Sequence, residues 1–165
     1  MDPRVTELQC IMPMANIRSV LKHGIFSHEA ASRMEHESVA LEDAQEKRDV
    51  RQVPGGLMLH QYANLYFHAR NPMMSKRRSM AEELCILRVS TSVLGLDGVV
   101  LTDRNAAGGD RWIRFLPPRD WRWLDFDRIY RRIGATLTDS NTTIRSGRNV
   151  PRCWCHTGLH LNTCP

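Results

Sequence analysis

Gln45-Glu46-Lys47-Arg48, Val53-Pro54-Gly55-Gly56, Tyr62-Ala63-Asn64-Leu65-Tyr66-Phe67 and Ala69-Arg70-Asn71-Pro72-Met73-Met74 follow one another between residues 45 and 74. Ser38 to Arg48 is polar and helix-compatible. Pro54-Gly55-Gly56 is a turn, since proline fixes one backbone angle and glycine accepts the conformations other residues avoid. Tyr62 to Phe67 is rich in aromatics, which suit a half-buried pleated surface. An arginine thus stands just ahead of a tight turn, an aromatic strand and a basic loop.

Working outward, Leu8 to Met12 reads as a short first strand that Pro13 ends. Ile17, Val20 and Leu21 recur at helical spacing, with Gly24 as a C-terminal stop. Ser27 is placed to cap a second short helix reaching about Met34. Pro72 to Met80 is a loop or short helix. Leu84 to Ser90 and Val99 to Thr102 read as buried strands, Arg111 to Leu116 as a further strand, and Leu124 to Arg131 as a helix. Strands interleaved with short helices, without a regular βαβ period, make an α+β fold.

The chain has 165 residues, which suits one domain with one core. No apolar run approaches the roughly 20 residues of a membrane span, and the N-terminus shows no apolar signal segment. The five cysteines form no obvious pairing pattern, which points to a reducing cytoplasm. The net charge of +5 is compatible with a polyanionic partner without requiring one.

From about Leu8 to Arg131 this order of motifs resembles the DarT family, toxins that move ADP-ribose from NAD onto a base of single-stranded DNA. The resemblance implies an ADP-ribosyltransferase-like architecture, small packed sheets with short helices around an NAD cleft, with NAD as substrate. It implies that Arg48, just before the Pro-Gly-Gly turn, binds NAD and acts as a proton leaves the DNA base. On its own, Arg48 would be a solvated helix-end cation. An arginine is an unusual base because it is effectively always charged, so the role is electrostatic or needs a strongly altered environment.

The same resemblance assigns Cys10, Ile11 and Met12 to the NAD cleft, through backbone groups that hydrogen-bond the nicotinamide amide. Cys10 stands where a histidine is common, and it is equally a small buried apolar residue. Ser19 and Ser27 match positions near the ribose and diphosphate; each could also be an ordinary surface or capping serine. On the DNA side stand Tyr66, Arg70, Met73, Lys76, Arg77 and Arg78, a run of cations beside aromatics and methionines that suits a single-strand groove. The aromatic strand could equally be core, and the cations a solvated face. Asn105, in Leu101-Thr102-Asp103-Arg104-Asn105-Ala106, borders that groove in the family and could reach a base edge. Arg111 to Arg132 carries further cations among Trp112, Trp121 and Trp123.

Beyond about Arg131 the resemblance stops. The family carries a late glutamate on a strand reading roughly Cys-Ala-Glu-Val-Leu-Val-Pro, and that carboxylate supports the departure of nicotinamide. Here no acidic residue follows Asp139, and the chain reads Asn149-Val150-Pro151-Arg152-Cys153-Trp154-Cys155-His156. The genetic code links the two strings. Each residue's third base, joined to the next residue's first two, gives Leu from Cys153-Trp154 and Val from Trp154-Cys155 whichever codons are used. The other steps permit Cys, Ala, Glu, Val and Pro in the family's order. Arg132-Ile133 and Ile133-Gly134 likewise permit Tyr and Trp, a family pair. We therefore read 8–131 as a truncated DarT-like domain and 132–165 as out of frame and unstructured, with few apolar residues at strand or helix period. A metal site in the tail is disfavoured, because Cys153, Cys155, His156, His160 and Cys164 lack the usual Cys-x2–4-Cys spacing.

The expectation is an NAD-dependent DNA ADP-ribosyltransferase, a cytoplasmic toxin of a toxin–antitoxin pair, left inactive here by the missing glutamate. Its implied partners are single-stranded DNA and a macrodomain-type antitoxin, with no membrane and no metal. The competing expectations are a non-catalytic NAD- or DNA-binding remnant and a plain basic nucleic-acid-binding domain. Guanine and thymine are both open as the modified base.

Overall fold

The computed structural model describes residues 1–40, 42–106, 112–130 and 143–147. Six strands form one antiparallel sheet: β1 (Leu8–Pro13), β2 (Tyr62–Tyr66), β3 (Leu84–Val89), β4 (Val100–Thr102), β5 (Phe115–Leu116) and β6 (Thr143–Gly147), in the order β3-β1-β2-β6-β4-β5. Five short α-helices lie between and beside them: α1 (Ile17–His23), α2 (His28–Ala31), α3 (Glu42–Asp49), α4 (Pro72–Lys76) and α5 (Phe126–Tyr130). The α+β architecture expected from the alternation of strand and helix signals is the one observed.

Local chemistry explains most boundaries. Gly24 ends α1 at φ 90, a conformation that glycine adopts without a side-chain clash. The Ser27 hydroxyl accepts from the Ala30 amide and caps α2, which is shorter than its sequence suggests. Asn71 caps α4 in the same way, accepting from the Met74 amide, with Pro72 in the first turn.

The main core lies against one face of the sheet. Leu8, Leu65, Val89 and Leu101 are almost wholly buried there, joined by Phe67 and Phe126, whose rings meet edge to face at 5.3 Å. Tyr62 belongs to a smaller cluster with Val53, Leu59 and Ala106. Tyr62 and Phe67 of the aromatic strand are therefore packing residues, while Tyr66 is only half-buried. β3 departs from the expectation of a buried strand. Among the described residues it is an edge strand paired only with β1, and its Ile86 and Arg88 face solvent.

Five residues of the stretch expected to lack packed structure, Thr143–Gly147, form a strand instead. β6 pairs with β2 from Tyr62↔Gly147 to Tyr66↔Thr143 and with β4 at Val100↔Arg145 and Leu101↔Ile144. It joins the two halves of the sheet, whose ladders would otherwise leave two edges facing each other. The rest of the tail, including Cys153, Cys155, His156, His160 and Cys164, lies outside the described residues, as does Arg111.

Leu101, fully buried at the β4 register with both β5 and β6, is a strict test of this packing. Leu101→Ala should cost about 2–5 kcal/mol in urea unfolding, and Val50→Ala, at an 84% exposed position, less than about 0.5 kcal/mol. A Leu101→Ala cost below about 1 kcal/mol would mean that the β4–β6 junction is not core.

Candidate active site

Helix α3 ends at the turn that the sequence marks. After Asp49 the chain reverses through Val53-Pro54-Gly55-Gly56-Leu57, with the Val53 amide donating to the Leu57 carbonyl at 3.0 Å and the Gly56 amide to the Val53 carbonyl at 2.8 Å. Gly55 sits at φ 66, and a Cβ on Gly56 would lie 2.7 Å from the Tyr62 hydroxyl. That hydroxyl accepts from the Leu57 amide at 3.1 Å. Both glycines are thus required, one for its backbone angle and one for its missing side chain.

The turn carries Arg48 into the protein. Arg48 is only 9% exposed, its Nε meets no hydrogen-bond acceptor, and it forms no ion pair among the described residues. A buried Nε–H without an acceptor is costly, so the side chain marks a position suited to an anion or strongly polar group.

The wall beside Arg48 is histidine-rich. His60 lies with Nδ1 at 2.5 Å from Asp49 Oδ1 and Nε2 at 2.8 Å from Gln45 Oε1. Both partners are on α3, so His60 ties the last turn of that helix to the chain beyond the Pro-Gly-Gly turn. The His28 ring packs against His60 at 4.6 Å between centroids. Burial, first, and then the nearby His60 and Arg48 charges hold the His28 pKa below the ordinary histidine range. Ser27 caps the helix that His28 begins and so immediately precedes this histidine.

A second group lies under the start of β1. Ile11 packs with Ala69, Leu84, Tyr66, Met73, Met74, Met80 and Val39. Cys10, Ile11 and Met12 are all buried, and the Met12 carbonyl accepts from the Cys85 thiol. β1 pairs with β3 along its full length but registers with β2 only at Gln9↔Tyr66. The structure thus brings the first strand together with Tyr66 and Met73. Asn71 is 3% exposed, and its Nδ2 has no partner.

The cation run divides. Arg77 donates from Nε to the Val39 carbonyl at 3.1 Å and from Nη2 to the Ala40 carbonyl at 2.9 Å, anchoring the segment that leads into α3. Arg70, Lys76 and Arg78 face solvent. Ser19 is half-buried on α1. Asn105 is half-buried in the loop after β4, which reaches the main site through Arg51, whose Nη1 donates to the Ala106 carbonyl at 2.7 Å. Sequence reasoning missed His28, Asp49 and His60, which no spacing rule joins: two lie on either side of Arg48 and the third beyond a turn. Among the described residues no group of His, Cys, Asp and Glu could hold a metal ion, and no helix is long and apolar enough to cross a membrane.

The histidines set a pH dependence. His68, like His28, is held below the usual 6.5, by burial and then by Arg70. A depressed histidine pKa means that the unfolded chain binds the proton more readily. Stability is therefore full above pH 6.5 and falls as the pH drops below it. The urea midpoint should be lower at pH 5.5 than at 7.5, and a His28→Gln/His68→Gln variant should narrow that difference. An unchanged difference would assign the acid sensitivity to other groups.

Comparison with known proteins bears on what this site serves. The family model described as ssDNA thymidine ADP-ribosyltransferase, DarT, matches residues 10–149. A DNA ADP-ribosyl transferase–DNA ADP-ribosyl glycohydrolase fusion protein of Thermosipho africanus (strain H17ap60334) is 31% identical over 121 residues, which is 68% of this chain and 30% of that protein. The chain therefore spans under a third of that relative's length. The structure of Thermus sp. 2.9 DarT in complex with ADP-ribosylated ssDNA has a TM-score of 0.73 at 24% identity, over 88% of this chain and 77% of that one. The same protein in complex with NAD+ gives 0.67 at 23% identity, over 89% and 78%. These two likenesses speak to the fold. The family match covers the first strand, Arg48, the glycine turn, the aromatic strand and β6, and on that match the chain belongs to the DarT family.

Proposed function

We propose that this chain carries the NAD site and DNA face of an ADP-ribosyltransferase acting on a base of single-stranded DNA, and that the chain as written is inactive or nearly so. The observation that carries the reading is Arg48: a buried guanidinium with an unpartnered Nε, in a family whose model is described by this activity. NAD supplies the ADP-ribosyl group, whose bond to nicotinamide breaks as a base nitrogen takes its place. Its diphosphate fits the charge that Arg48 lacks. Ser27 contributes from the cap of α2, while the backbone of Cys10–Met12 runs on past the register of β1 with β2. Arg48 also stabilises negative charge on the base as it loses its proton. The family description favours thymine over guanine.

Inactivity follows from the missing late carboxylate. The proposed frame slip lies near Arg131 to Ile133, which the Tyr-Trp reading at Arg132 to Gly134 supports, although the family match runs on to residue 149. Exposed Arg70, Lys76 and Arg78 then serve the DNA strand, beside Tyr66 and Met73, with Asn105 contributing from the loop after β4, while Arg77 shapes the loop behind the cations. The fusion of transferase and glycohydrolase in the T. africanus relative supports a macrodomain-type antitoxin as partner.

The nucleotide sequence over codons 128 to 165 and beyond locates the slip. The chain as written should show little or no transfer of ADP-ribose from NAD to single-stranded oligonucleotides. The frame-restored chain should label them, and Arg48→Ala in that background should lower the rate at least ~100-fold. Full activity of the chain as written would refute the frameshift. Labelling near the parent rate after Arg48→Ala would remove Arg48 from the chemistry.

A further inference from the structure

Two of the four tryptophans stand largely in solvent: Trp112 is 82% exposed and Trp123 65%. Trp is the side chain with most to gain from burial, so two exposed indoles eleven residues apart in the chain point to a surface that is covered in use. They are connected through Arg114. Its backbone amide and Nε donate to Asp103 at 2.9 and 2.8 Å, and its Nη2 donates to the Trp123 carbonyl at 3.4 Å. Trp112 is two residues away from this arginine. Asp103 begins the loop whose Ala106 carbonyl takes the hydrogen bond from Arg51, three residues past Arg48. A line of contacts thus runs from the Arg48 site, along the loop after β4, to Arg114 and the Trp123 backbone, with Trp112 two residues away along the chain.

Charge selects the partner. From residue 112 to 123 the chain has Arg114, Arg119 and Arg122 against the single acid Asp120. The Arg122 guanidinium lies 5.7 Å from the Trp121 ring centroid, and the nearby Asp103 is only 9% exposed, its charge met by Arg114. Flat indoles among arginines match a chain of phosphates bearing unstacked bases, because each base offers a ring face and each phosphate a negative charge. A duplex would keep its base faces stacked away. We propose that Trp112 and Trp123 form a stacking ledge for bases flanking the modified one in single-stranded DNA, with Arg114 holding the ledge against the Asp103 loop. This rests on the reading of the chain as a protein that binds DNA; the ledge adds where the strand runs after it leaves the Arg48 site.

The chain as written suffices for the test, since the readout is binding. A labelled 16-nucleotide single strand of mixed sequence is titrated by fluorescence anisotropy against the parent, Trp112→Ala, Trp123→Ala, the double variant and the Trp112→Phe/Trp123→Phe variant. Each alanine should weaken binding roughly 5-fold or more and the double variant more than ~10-fold, with phenylalanine recovering most of the loss. The slope of log affinity against log salt should stay unchanged, because phosphate contacts are kept. A strand of equal length with abasic sites should not distinguish parent from variants. Should the double variant fail to fold, acrylamide quenching of the parent's tryptophans decides, with protection expected on adding the normal strand. Double-variant binding within twofold of the parent, or indoles left unprotected, overturns the ledge and leaves the pair as a contact for another protein. No binding by the parent itself refutes the DNA-binding reading beneath it.

Discussion

The organising constraint of this molecule is an arginine, Arg48, whose Nε the fold buries without a hydrogen-bond acceptor among the described residues. Arg48 is placed by a helix only eight residues long, so its position depends on what holds that helix's last turn. His60 does so from one side, bonded to Asp49 and Gln45 at once. The Pro-Gly-Gly turn does so from another, and it closes only because Gly55 accepts a positive φ and Gly56 leaves room for the Tyr62 hydroxyl. Arg77 fixes the segment before the helix, and Arg51 ties its end to the loop after β4. A short helix has little stability of its own, so these tertiary ties set where the guanidinium points.

The sheet supplies the frame for that arrangement, and β6 is its keystone in topology. Without it, β2 and β4 would each present an open ladder to the other. This strand lies beyond Arg131, where the resemblance by motif ends, yet within the family match to residue 149, so the fold retains its joining strand while the sequence from Asn149 onward lacks the expected carboxylate. On our reading, binding elements and catalytic acid are separable here: Arg48, Ser27 and the first strand stand on complete local structure, whereas the late glutamate does not.

Much of this was legible in the sequence because it was local. Gly24, Ser27 and Pro54-Gly55-Gly56 act over two to four residues, and each does in the structure what its type implies. Arg48 was legible only through the resemblance, since a lone arginine at a helix end reads as solvated. The long-range pieces were not legible. Nothing in the spacing joins His28 and His60 to Asp49, because stacking and ion pairing across a turn leave no periodic trace. Arg77 looked like its neighbours Lys76 and Arg78, and only the carbonyls of Val39 and Ala40, nearly forty residues upstream, separate its role from theirs. Leu84 to Ser90 reads as buried because its apolar residues are dense, yet it lies at the sheet edge, a fact of topology rather than composition. Thr143–Gly147 is polar enough to resemble a tail, and becomes a strand because two ladders need it.

The central claim is that the Arg48 site holds NAD even where the chain cannot turn it over. Hydrogen exchange of the chain as written, followed with and without saturating NAD, measures this most directly. The account predicts slowed exchange at the amides of Cys10 to Met12, at Ser27 to Ala30 and over the last turn of α3, with little change at the outer strand β3. An NAD titration that produces no protection in these segments, or protection confined to other parts of the chain, would contradict it.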